Sequence, residues 1–99
     1  MKIKYEIKDK IQGCRNATGS CYWESKNSSK NKITISTKSD NLDRTIIHET
    51  LHAALHRMED SGEHTRIIKN INNNERLIFR LAELMAENLN VNIKQDKLI

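Results

Sequence analysis

The sequence predicts an α+β domain in which a small three-stranded sheet packs on two main helices. Three observations carry that expectation. Short stretches near the start alternate apolar and polar residues, the period of a half-buried strand. Two later stretches place apolar residues at helical spacing instead. The strands come first and the helices second, an order that favours α+β over a chain of alternating βαβ units. Ninety-nine residues suffice for one domain, near the lower end for an independently folding core.

In chain order, Ile3, Tyr5 and Ile7 alternate with Lys4, Glu6 and Lys8, so residues 2–8 predict the first strand. Residues 9–20 predict a loop, punctuated by Gly13, Asn16 and Gly19. Cys21 to Ser25, with Tyr22 and Trp23, has the aromatic content of a second strand. A polar turn follows, and Lys32 to Thr37 is a third strand, β-branched and alternating. The short connection makes a hairpin of the second and third strands the economical pairing.

Residues 38–41 then lead into the first main helix. Asp40 is its expected N-cap, with Asp43 three residues on as an acidic relative of the capping box. Residues 59–74 are polar and broken by Gly62, and predict mostly loop around the pair Ile67 and Ile68. Asn74 to Asn90 predicts the second main helix. Its broad apolar arc includes Leu77, Ile78, Phe79, Leu81, Ala82 and Met85, opposite Arg76, Arg80, Glu83 and Glu87. The domain thus spans residues 1–90, and residues 91–99 form a basic, weakly patterned tail. No internal repeat or low-complexity tract interrupts it.

Composition narrows the function classes. The net charge of +4 comes mainly from dispersed lysines and permits loose association with an anionic partner such as nucleic acid. No arginine-rich block, aromatic stacking cluster or recognition-helix pattern supports a dedicated nucleic-acid role. No apolar run approaches bilayer-spanning length, which speaks against a membrane protein, and the N-terminus lacks a signal-peptide apolar block. An intracellular, cytoplasmic protein is the expectation. Cys14 and Cys21 do not have CxxC spacing, so reduced thiols or packing residues are expected of them. Nothing in the pattern sets an oligomeric state.

The chemistry centres on His48-Glu49-Thr50-Leu51-His52 in the first main helix. Residues four apart differ by about 40° around a helix, so both imidazoles leave the same side, one turn apart. Two neutral ring nitrogens so placed can bind one zinc ion. Glu49 lies about 100° round the axis, near enough to reach a water at the metal without being a ligand. The arrangement is that of a metal-dependent hydrolase with Glu49 as general base. On the same helix Ile47, Leu51, Ala54, Leu55 and Met58 form a greasy arc expected to face the core. His48, Glu49, His52 and His56 form the arc beside it.

Catalytic zinc generally takes three protein ligands. Glu83 and Glu87 project with the arginines onto the solvated side of the last helix. Glu75 instead projects inside the apolar arc, where an unpaired carboxylate is costly. It is the candidate third ligand, against the alternative of a first-turn acid favoured by the helix dipole. His56 lies about 12 Å along the axis from His48 and is expected to be a supporting or surface histidine. His64 is a lesser candidate, as third ligand or as donor to an oxyanion. Tyr22 and Trp23 are expected in the core or at its rim.

With these residues in place, the chain resembles zincin metallopeptidases of the glutamate-ligand branch, the gluzincins. More closely, it is similar to the very small zincin-like domains of phages and prophages, and to minigluzincins. The similarity runs through Gly19-Ser20-Cys21, Ile33-Thr34-Ile35, Ile47-His48-Glu49-Thr50-Leu51-His52-Ala53 and Glu75-Arg76-Leu77, over roughly residues 1–90. It implies Zn2+ held by His48, His52 and Glu75, Glu49 as base, and a protein or peptide substrate. It also implies that strand 32–37 forms the rim on which a peptide adds as a strand, and that residues 91–99 cover the cleft as a latency segment. The chain is too short for a large second subdomain below the cleft. A metzincin would need a histidine where Met58 stands. Two other functions compete: a catalytically silent, zinc-stabilised binding module of phage-accessory type, and a nucleic-acid-associated protease similar to the SprT-like group.

Overall fold

A computed structural model describes residues 3–9 and 18–98, with side chains through Leu89. The strands are β1 (Lys4–Lys8), β2 (Gly19–Tyr22) and β3 (Lys32–Ser36), and the helices are α1 (Leu42–Asp60), α2 (Thr65–Asn72) and α3 (Glu75–Leu98). The three strands form one mixed sheet in the order β1-β3-β2. The fold is therefore α+β, with three helices among the described residues where two main ones are expected. None of the described helices is long and apolar enough to cross a membrane.

β3 is the central strand. It pairs parallel with β1, Tyr5 opposite Ile33 and Ile7 opposite Ile35. It pairs antiparallel with β2, Cys21 opposite Ile33. Its period-2 pattern sends Ile33 and Ile35 into the core, fully buried together with Ala53 of α1. The hairpin of the second and third strands is present, but β2 begins at Gly19 and ends at Tyr22, earlier than its aromatic residues suggest. Trp23 has left the ladder and packs on the core cluster. The connection back to β3 is pinned by Asn31, which is 2 % exposed. Its Oδ1 accepts from the Glu24 N–H at 2.8 Å and its Nδ2 donates to the Ser25 carbonyl at 2.7 Å.

α1 lies between the sheet and the other two helices. Its fully buried stripe is Thr45, Glu49 and Ala53, one residue per turn. This corrects the expected orientation: the arc of Ile47, Leu51, Leu55 and Met58 is only half-buried, and the side with Thr45, Glu49 and Ala53 faces the sheet. The reason is geometric. Small side chains at 45 and 53 let the helix approach the strands closely, while His48 meets α3 and His52 meets both α2 and α3.

The ends of α1 follow ordinary capping chemistry with one change. Asn41, not Asp40, is the N-cap, its Oδ1 accepting from the Arg44 N–H at 3.0 Å. Asp40 instead pairs with the Arg44 guanidinium at 2.9 Å. At the other end the Glu63 N–H reaches the Met58 carbonyl and the Gly62 N–H reaches that of Glu59, each 3.0 Å. This is a Schellman closure, with Gly62 supplying the left-handed φ of 74°.

α2 occupies part of the stretch expected to be mostly loop. It docks through Ile68 and Asn72, 5 % and 9 % exposed. α3 then buries a narrow stripe, Ile78, Ala82 and Ala86, rather than a broad arc. Leu77, Leu81, Leu84, Met85 and Leu89 remain 38–46 % exposed. The expected tail after residue 90 is replaced by continuation of α3 to Leu98. The side chains of that stretch, and so the expectation that residues 91–99 cover a cleft, lie outside the described residues.

Loss of the Asn41 cap in Asn41→Ala should cost about 1 kcal/mol in urea unfolding. Asp40→Ala, which removes only an exposed ion pair, should stay within about 0.5 kcal/mol of the parent.

Candidate metal centre

Helical spacing on α1 sets His48 and His52 side by side, their ring centroids 5.0 Å apart. The first turn of α3 brings Glu75 to both. Its Oε2 lies 3.2 Å from His48 Nε2 and its Oε1 2.9 Å from His52 Nε2. The approach is fixed by the packing of α3 on α1 and by Asn74, whose Oδ1 caps the helix by accepting from the Leu77 N–H at 3.1 Å.

Glu75 does not enter the core, as its helical projection suggests. Its side chain is 68 % exposed, whereas those of His48 and His52 are 17 % and 12 % exposed. It sits one turn before Ile78, at the edge of the buried stripe, where it can face two imidazoles and still meet solvent. Among the described residues, His48, His52 and Glu75 are the group able to hold a metal ion, with ligand atoms all within 4.8 Å.

The donor set fits zinc. Two imidazole nitrogens and a carboxylate oxygen are donor types that zinc takes, and the 3.2 and 2.9 Å contacts between them show that they converge on one point. Burial lowers the basicity of His48, positive charge on His52 lowers it further, and Glu75 opposes both. The net direction favours the neutral ring whose lone pair a metal requires.

Glu49 stands beside this group on the sheet side. Burial pushes its carboxyl up to about 7, against the pull of His52 and with a smaller push from Glu75. It fits there because position 19 has no side chain. A Cβ at Gly19 would fall 2.8 Å from Thr45 Cγ2 and 3.0 Å from Glu49 Cγ. Gly19 is thus a strand residue allowing close approach of α1, rather than loop punctuation. A cavity of about 290 Å³ opens here, lined by His48, Glu49, Glu75, Arg44, Phe79 and the Thr18–Gly19 end of β2. The Arg44 guanidinium lies over the Phe79 ring, 4.8 Å from its centroid.

The strand placement corrects the expected peptide rim. β3 is hydrogen-bonded on both sides and has no edge to offer. β2 borders the cavity and is an edge strand among the described residues. The Ser36 N–H donates to the Thr18 carbonyl at 2.8 Å. By antiparallel alternation, Ser20 and Tyr22 also bond inward, while Gly19 and Cys21 turn their backbone N–H and C=O outward.

The remaining sequence candidates separate cleanly. His56 is not in the cluster; it stacks on Trp23, ring centroids 6.0 Å apart and planes 11° apart. His64 opens α2 in the left-handed conformation, exposed and outside the metal-competent group. Tyr22 is exposed, while Trp23 donates from Nε1 to Asp60 Oδ2 at 2.7 Å. Cys21 is a free, partly buried thiol against the core, and Cys14 lies outside the described residues. A residue not expected at the site is Asn72, whose Oδ1 lies 2.5 Å from His52 Nδ1 and whose Nδ2 lies 3.3 Å from His56 Nε2.

No family model, curated protein or solved structure matches the chain.

Burial, with a smaller contribution from the charge of Glu49, pushes the Cys21 thiol up to about 11. Its contribution to stability is intact below the unfolded value near 9 and fades as pH rises toward 11. At pH 8 the folded protein should hold about 100-fold less Cys21 thiolate than the unfolded chain. In a Cys14→Ser background, iodoacetamide should accordingly label Cys21 on the order of 100-fold more slowly in buffer than in urea. Equal rates would contradict the burial assigned to it.

Proposed function

We propose that the protein is a zinc-dependent peptidase, with His48, His52 and Glu75 as metal ligands and Glu49 as general base. The observation that carries this reading is a convergence. A carboxylate from a separate helix meets both motif imidazoles, while a second, buried carboxylate stands beside them outside the ligand set. A site that only bound metal would have no use for Glu49 there, because a buried acid is costly unless it does chemistry or finds a partner.

When bound, zinc supplies a Lewis acid that acidifies water and polarises a carbonyl. The chain's own residues supply the rest. Glu49 accepts a proton from the attacking water and returns it to the departing amine nitrogen, so that water adds across the C–N bond as that bond breaks. The outward N–H and C=O groups of Gly19 and Cys21 can hold an extended substrate by strand addition beside the site. Phe79 adds an apolar wall and Arg44 a cationic one. This chemistry suits a protein or peptide substrate.

A second reading keeps the metal and drops the hydrolysis. Among the described residues the buried hydrophobic ones are Ile33, Ile35, Ala53, Ile68, Ile78, Ala82 and Ala86, of which three are alanines. So thin a core gains from a metal staple.

One variant separates the two. Glu49→Gln should retain about one zinc per chain and lose on the order of 10²–10⁴-fold in cleavage of unfolded casein. Cleavage at the parent rate would remove Glu49 as the base. Stoichiometric zinc in both proteins with no hydrolysis in either would favour the staple.

A further inference from the structure

We propose that Asn72 is a positioning residue that sets Nε2 of His52 as its metal-binding nitrogen, with His56 and Trp23 holding Asn72 in place. This rests on the zinc reading of the site. A neutral imidazole carries one N–H and one lone pair, and the partner of one nitrogen decides what the other can do. The two ends of an asparagine amide are chemical opposites: the oxygen only accepts and the nitrogen only donates. The Asn72 oxygen lies 2.5 Å from His52 Nδ1, so that nitrogen must carry the proton. In the neutral ring of a metal-bound site the lone pair is then left to Nε2, the atom that faces Glu75 Oε1 at 2.9 Å and would meet a cation held between them. With the amide reversed, an N–H would face Nδ1 and demand the lone pair there instead.

The other end of the amide is satisfied as well. Asn72 Nδ2 donates to His56 Nε2 at 3.3 Å, and the His56 ring is laid flat on Trp23. Asn72 is 9 % exposed, so an unpaired end would carry a desolvation cost. His56 removes it. The third histidine of the motif helix thus has a task that does not require it to reach the ion. Asn72 is the last residue of α2, so that short helix contributes a contact on which the orientation of His52 depends. His48 has no corresponding partner on Nδ1 among the described residues.

The test compares zinc affinity, by competition with a chromophoric chelator, in the parent, Asn72→Leu and Asn72→Asp, alongside the melting temperature of each metal-free protein. Asn72→Leu should bind zinc 10–100-fold more weakly, the usual range for loss of such a partner. Asn72→Asp, whose carboxylate still accepts from Nδ1–H, should restore affinity to within about threefold of the parent. Equal losses in the two variants, or no loss in Asn72→Leu, would overturn the proposal. Independently of how any variant folds, 1H–15N spectra of the zinc-loaded parent should show His52 protonated at Nδ1, and a proton at Nε2 would overturn it. A parent that binds no zinc would sink this inference and the zinc reading together. A parent that binds zinc while Asn72→Leu binds it equally well would sink this inference alone.

Discussion

The contact on which the structure turns is that of the Glu75 carboxylate with His48 and His52, one oxygen to each ring. It joins the start of α3 to the middle of α1 across a sequence gap of more than twenty residues. Nothing in either helix taken singly would hold a carboxylate there. The contact exists because Ile78, one turn further along α3, is fully buried, and because Asn74 fixes where that helix begins. Packing sets the register, and the register delivers the acid.

That packing depends on small residues more than on large ones. α1 meets the sheet through Thr45 and Ala53, α3 buries Ala82 and Ala86, and Gly19 leaves room for Glu49. Close approach of this kind brings polar side chains into a core without the bulk that would separate the layers. Its cost is that larger apolar side chains are left outside, including Leu77, Leu81 and Leu84 along α3. Glu49 shows the other side of the same bargain. It is held beside the metal-competent group by a backbone that tolerates no side chain at position 19.

Much of the fold was legible because it is written in local periods. The alternation of β3 placed Ile33 and Ile35 in the core, and helical spacing put His48 and His52 on one side of α1. The wheel projects Glu75 toward the core, whereas it stands at the edge of the buried stripe, mostly exposed, beside His48 and His52. What escaped depends on neighbours distant in sequence. α2 is only eight residues long, and although Ile67, Ile68 and Ile71 stand at helical spacing, so short a pattern inside a polar stretch broken by Gly62 does not announce a helix. Asn72 is followed by two further asparagines, and nothing local distinguishes the one that meets His52. The buried face of α1 was misjudged because hydrophobicity favoured its aliphatic arc, while the sheet selected the smaller residues. Asp40 and Asn41 are both good caps, and only the path of the chain decides between them. The central place of β3 followed from a parallel pairing with β1 that no turn signal announces.

The central claim is that two imidazoles and one carboxylate hold zinc and leave a coordination position for water. X-ray absorption at the zinc edge of the reconstituted protein tests it most directly. The account predicts about four nitrogen or oxygen neighbours at roughly 2.0–2.1 Å, with the outer-shell scattering of two histidine rings and no sulfur. A sulfur neighbour at about 2.3 Å, or a spectrum without histidine scattering, would contradict it.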